Sequence, residues 1–171
     1  MNHLASLLPL DCVRIDVDAL SRKRVFEEAS LIFERSSGVP HTEAFDALFA
    51  REKIGSTCLG HGCGIPHGRL ADIDVLSLAF LRTREPVALD AGDNEPVNVF
   101  LCLLIPEKDE GDYLTVLREI AGLLSDEHAR DFLKTSPSEE AICRFIHDWE
   151  PPAPAEPEED GGASGNEDPT N

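Results

Sequence analysis

The stretch VNVFLCLLI, residues 97–105, restricts the fold of this chain more than any other, because it is a long apolar run closed at both ends by a proline, Pro96 and Pro106. A run of this kind reads as a central strand buried on both faces, and such a strand needs a layer of other elements on each side. Residues 75–81 form a second strand pattern. The turn residues between them, Asp90 to Asn94, make the two strands neighbours joined by a short connection.

The remaining periodicity supplies the layers. A short apolar helix around Leu4, Leu7 and Leu8 is stopped by Pro9. A half-buried strand follows at residues 12–17, with Val13, Ile15 and Val17 on one face and Arg14, Asp16 and Asp18 on the other. Ser21 caps a helix that buries Val25, Phe26, Ala29, Ile32 and Phe33 and ends near Gly38. Thr42 opens the next, with Phe45, Leu48 and Phe49 inward and Gly55 closing it. Three helices finish the domain. The first turns Leu114, Leu117, Ala121 and Leu124 inward, and the second Ala129, Phe132 and Leu133. The third starts with Ser136, Pro137 and Glu139 in capping-box order and continues through Ile142, Phe145, Ile146 and Trp149. The expected fold is therefore α/β: a single domain, residues 1–150, with a mixed parallel and antiparallel sheet sandwiched between helices.

Residues 151–171 differ in kind. They hold five of the twelve prolines and six acids, with no base and no aromatic residue, and are expected to form a disordered acidic tail. The whole chain carries a formal charge of -18, and residues 1–150 alone still carry -12, so the acidity is not confined to the tail. Such a balance argues against a nucleic-acid partner, which would need clustered Lys and Arg, and favours a basic protein partner. The five cysteines are scattered through apolar segments and read as a reduced set. With no leader pattern at residues 1–10 and no apolar run of about 18 residues, the expectation is a cytoplasmic protein that inserts in no membrane.

The chemistry concentrates in residues 55–68, GSTCLGHGCGIPHG. Glycines 60, 62 and 64 let main-chain N–H groups approach a ligand, so Gly62 and Gly64 read as parts of an anion cradle, to which Ser56 adds a hydroxyl donor. No Gly-Lys pair followed by Ser or Thr is present, and the G-x-G-x-x-G spacing is missed, which disfavours ATP and NAD. His67 lies between Pro66 and Gly68, held rigidly and left accessible. A neutral imidazole in that frame attacks through one ring nitrogen while the other fixes the tautomer. Arg51, at the end of the preceding helix, offers two parallel hydrogen bonds to a phosphoryl group. Three other readings compete. His67 and Arg51 are ordinary surface residues, Cys58, His61, Cys63 and His67 form a zinc site, or Cys63 or Cys58 is a nucleophile. The zinc ligands would crowd into one loop, and neither thiol shows a sequence sign of activation.

The segment REKIGSTCLGHGCGIPHGRL, residues 51–70, resembles the active-site segment of phosphotransferase-system IIA domains of the fructose, mannitol and nitrogen-regulatory type. The resemblance continues through PVALDAGDNEPVNVFLCLLIP, residues 86–106, and leans towards the free-standing nitrogen-regulatory branch. It implies phosphorylation of His67, binding of the phosphoryl group by Arg51, and a donor that is a small histidine phosphocarrier related to HPr. It also implies regulated partners such as transporters or sensor kinases. Phosphoryl transfer between histidines then proceeds by positioning and charge stabilisation, with no cofactor and no metal. A sugar-transport component passing phosphate to a IIB domain is the alternative, and a metal-binding module is a third. Two departures stand out. Many members carry a second active-site histidine where this chain has Tyr113, which can still donate a hydrogen bond to phosphate, and His61 stands where relatives often have asparagine.

Overall fold

The computed structural model describes residues 2–89 and 95–152. The expected turn at Asp90 to Asn94 and nearly all of the acidic tail lie outside the described residues.

Strand β6 (Val97–Pro106) is the centre of the sheet, as its composition requires, with only Asn98 short of full burial. It pairs antiparallel with β5 (Ser77–Val87) on one edge. On the other it pairs in parallel with β3 (Cys63–Gly64) and then with β4 (His67–Leu70). β5 also pairs in parallel with β1 (Val13–Val17), and β2 (Cys58–Gly60) runs antiparallel to β3. The sheet is thus mixed, in the order β1–β5–β6–β3–β2 with β4 also on β6.

Helices cover it on both sides. Helix α2 (Arg22–Ser37) packs on α3 (His41–Ile54), with α2 against β5 and α3 against β4. The second group comprises α1 (Leu4–Leu7), α4 (Asp112–Ser125), α5 (Glu127–Thr135) and α6 (Glu139–Asp148). Of these α6 lies on β1 and α5 on β6, while α1 bridges α4 and α6. Phe26, Phe33, Phe80 and Phe100 fill the core between sheet and helices.

The α2 boundaries follow their residues: the Ser21 hydroxyl accepts from Arg24 N at 3.1 Å, and Gly38 takes the left-handed φ of +73° that ends the helix. Several elements differ from the sequence reading. Pro40, not Thr42, precedes α3, and its inward row is Ala44, Leu48 and Glu52. Phe45 and Phe49 stack on each other along the shoulder facing α2. The buried row of α4 is Val116, Ile120, Leu123 and Leu124, which leaves Leu114 46% exposed. Ser138, not Ser136, caps α6 by accepting from Ala141 N at 3.1 Å. β1 begins only at Val13, after a 3-10 turn at Leu10–Cys12, and Asp16 breaks its alternation with a φ of +54°. β5 begins at Ser77, where Val75 was expected to start the strand, and runs six residues further, to Val87. The glycine-rich segment is no loose loop either, because it folds into β2, β3 and β4.

Candidate functional site

Four backbone hydrogen bonds fold the glycine-rich segment into the sheet edge. Ile65 N donates to Thr57 O at 3.0 Å, and Leu103 N donates to Pro66 O at 2.9 Å. The β2–β3 turn is closed by His61 and Gly62, both left-handed at φ +55° and +77°, and Asn98 N and Val99 N both donate to Gly62 O at 3.1 Å. Consecutive left-handed residues are what a tight hairpin turn demands, and asparagine and histidine tolerate that conformation better than most. His61 therefore has a structural reason for its place in this turn. Its carbonyl accepts from Lys134 Nζ.

His67 opens β4 opposite Leu103 of β6. Its Nδ1 lies 2.8 Å from Ile65 O, and because a carbonyl can only accept, Nδ1 carries the proton and Nε2 keeps the lone pair. Burial pushes the imidazole below its ordinary pKa. The charges of Arg51 and Arg69 push the same way, against the Ile65 hydrogen bond and the Glu52 carboxylate, which pull upward. The result is a neutral, half-buried ring with a fixed tautomer.

The elements around it meet in an open cleft of about 400 Å³, where His67, Arg51 and Tyr113 come together with Ala47, Ala50, Ile54, Gly68, Arg69 and Ile105. Arg51 Nη1 donates to Gly55 O at 3.0 Å, which curls the side chain over the end of α3. Tyr113, in the first turn of α4, lies under the Arg69 guanidinium, 4.6 Å from its ring centre. Ser56, Gly62 and Gly64 do not line this cleft. The Ser56 hydroxyl accepts from Cys58 N at 3.2 Å, Gly62 sits beside Lys134 and Asn98, and Gly64 is buried in β3 opposite Phe100.

Two residues of the site escape a reading of the sequence. Glu52 is only 5% exposed and accepts from the Thr57 hydroxyl at 2.6 Å. It starts a chain of hydrogen bonds that passes through Thr57 and Ile65 to His67. Its signal was the i+4 spacing from Leu48 on the inward row, masked by its charge. Arg69 is two residues beyond His67 on the same strand, a relation visible only once the segment is known to be a strand.

Gly68 has a sharper role than clearing the approach to His67. A Cβ there would lie 2.5 Å from the backbone C and O of Ala47, so only glycine lets α3 lie this close to β4.

The competing readings fare less well. Among the described residues no three His, Cys, Asp or Glu side chains gather closely enough to hold a metal ion, so Cys58, His61, Cys63 and His67 do not converge. Cys63 is fully buried and burial raises its thiol pKa, the reverse of activation. No helix among the described residues is long and apolar enough to cross a membrane.

Residues 6–149 match the family model described as phosphoenolpyruvate-dependent sugar phosphotransferase system, EIIA 2. The chain belongs to this EIIA type 2 family. The nitrogen regulatory protein of Escherichia coli (strain K12) is 34% identical over 149 residues, covering 86% of this chain and 91% of that protein. The crystal structure of nitrogen regulatory protein IIA-Ntr from Neisseria meningitidis is 45% identical, with a TM-score of 0.80 over 84% of this chain and 98% of that one. IIA mannitol from Escherichia coli shares the EIIA fold at 17% identity, with a TM-score of 0.70 over 81% of this chain and 98% of its own.

Proposed function

We propose that this chain is a phosphoryl carrier of the nitrogen-related phosphotransferase system, accepting a phosphoryl group on His67 Nε2 from an HPr-like histidine phosphocarrier. The observation that carries the reading is the hydrogen bond from His67 Nδ1 to Ile65 O, 2.8 Å long, which leaves the Nε2 lone pair on a neutral ring beside Arg51. As the Nε2–P bond forms, the donor's N–P bond breaks and its electron pair returns to the donor nitrogen. The proton on Nδ1 stays where it is, and no base is needed. Arg51 offers a planar fork to the moving phosphoryl oxygens, whose charge is the main thing to be stabilised.

The nitrogen-regulatory relatives support a regulatory role over sugar transport, with the phosphorylated and free forms binding cytoplasmic partners such as transporters or sensor kinases to different degrees. In this reading residues 1–150 are the carrier domain, to which residues 151–171 are appended.

The test is transfer from a phosphorylated HPr-type carrier, followed by mapping of the acid-labile phosphate. His67→Ala should fold and take no phosphate, whereas His61→Ala should take it normally. Phosphate persisting in folded His67→Ala and vanishing in His61→Ala would overturn the assignment. Onward transfer to a sugar-specific IIB protein would replace the regulatory reading with the transport one.

A further inference from the structure

In a chain with 33 acidic side chains, two guanidinium groups line one cleft, and among the described residues neither makes an ion pair. The ion pairs lie elsewhere, at His3 with Glu119, Arg24 with Glu27 and Glu28, His41 with Glu34, and Lys108 with Asp74. Arg51 is held by the Gly55 carbonyl. Arg69 is held by the face of Tyr113 and, weakly, by Asp109 O at 3.4 Å from Nη1.

The side chain of Asp109 itself is already engaged. One oxygen of Asp109 accepts from Gly111 N at 2.8 Å and from Tyr113 N at 3.4 Å, which fixes the start of α4 and with it the Tyr113 ring. Arg69 thus rests on a neutral surface and a neutral acceptor. It is exposed, so moving it costs no desolvation. Residues i and i+2 of a strand share a side and lie roughly 6.5–7 Å apart, within the span of an arginine side chain.

We propose that Arg69 is a second phosphoryl-binding residue: it leaves the Tyr113 ring and joins Arg51 on the oxygens of the group carried by His67. Tyr113 is its resting place in the unphosphorylated chain. The inference rests on His67 being the phosphoryl acceptor. A phosphoryl group brings a charge of about -1.5 to -2 and three acceptor oxygens, more than the fork of Arg51 can satisfy. An exposed cation–π contact is weaker than a charge-assisted hydrogen bond to phosphate, so the exchange favours the phosphorylated state.

The experiment compares wild type, Arg69→Gln and Arg69→Lys in two measurements. One is the equilibrium with a phosphorylated HPr-type carrier, and the other is the NMR titration of His67 in the free chain. Arg69→Gln should shift the phosphoryl equilibrium towards the donor by about tenfold or more and raise the His67 midpoint, because a nearby positive charge is lost. Arg69→Lys should keep the midpoint low and recover only part of the equilibrium, since charge returns without the fork. Arg69→Gln indistinguishable from wild type in either measurement would overturn the proposal while leaving His67 as acceptor intact. Wild type taking no phosphate on His67 would overturn the acceptor reading, and the Arg69 proposal with it.

Discussion

Replacing Gly68 by alanine adds a single methyl group and should disturb both the fold and the transfer chemistry. Gly68 does not occupy the left-handed region, so alanine meets no backbone strain and the whole cost is space. The added Cβ would lie 2.5 Å from Ala47 C and O and 2.9 Å from Leu48 N, all backbone atoms that no rotamer change can move. Carbon atoms rest comfortably at about 3.5 Å or more, so α3 and β4 must separate by roughly 1 Å. Overpacking of this kind costs about 1–3 kcal/mol, which lowers the urea midpoint by roughly 1 M at the slope usual for small domains.

The same shift moves Arg51, one turn beyond Ala47 on α3, relative to His67 on β4. A displacement of about 1 Å in a positioning group costs on the order of a hundredfold in rate. The assays are urea unfolding and the initial rate of phosphoryl acceptance from an HPr-type carrier. Gly55→Ala is the control, because its Cβ would meet nothing within 4 Å and its φ of 171° is ordinary extended backbone. A Gly68→Ala protein with the stability and transfer rate of wild type would refute the argument that glycine is required for the close approach of α3.

Three further outcomes are expected. Arg51→Lys should slow phosphoryl acceptance by about tenfold, since charge is kept but the planar fork is lost, and equal rates would reduce Arg51 to a general charge or to nothing. Because the folded His67 pKa is depressed, the unfolded chain takes up this proton first as the pH falls below about 6.5. His67 thus contributes stability at neutral pH that is lost on acidification, and acceptance should decline only at a pH below the ordinary histidine value. A midpoint in the rate profile at or above that value would contradict the sign of the shift. Truncation after Glu150 should leave the melting temperature within about a degree or two of wild type, and a larger fall would mean that residues 151–171 dock on the domain.

Elements whose local chemistry allows one answer were legible in the sequence. Ser21 and Gly38 bound α2 because one can cap and the other can turn left-handed, and the run between Pro96 and Pro106 has no face to give to water. Helix α4 was not legible in phase. Leu114, Val116, Leu117, Ile120, Ala121, Leu123 and Leu124 leave more than one apolar row open, and only packing against the neighbouring helices and the core selects Val116, Ile120, Leu123 and Leu124. At the start of α6 two serines compete. Pro137 disfavours helical backbone at Ser136, which instead takes an extended ψ of 128°, so the cap falls to Ser138. In the site, His67 and Arg51 are marked by their side chains and their frame and Tyr113 only by the family resemblance, whereas Glu52 and Arg69 look like surface charges until the strand and the inward row are seen.

The two positive charges around His67 act in one direction on two different states. Before transfer, Arg51 and Arg69 oppose a proton on the imidazole and so preserve the Nε2 lone pair that the proposed reaction consumes. After transfer, the same positive field falls on a group with an excess negative charge, where it attracts. A site that disfavours a bound proton and favours a bound phosphoryl group discriminates between the two competitors for one nitrogen atom. Glu52 limits the bias, since its buried carboxylate pulls the imidazole pKa back up while its bond to Thr57 helps hold the backbone that orients the ring. A carrier must release its cargo as well as accept it, and an opposing carboxylate weakens the attraction of the site for the phosphoryl group. The buried Glu52 carboxylate, which opposes Arg51 and Arg69 at His67, therefore suits the proposed phosphorylation, which has to be reversible.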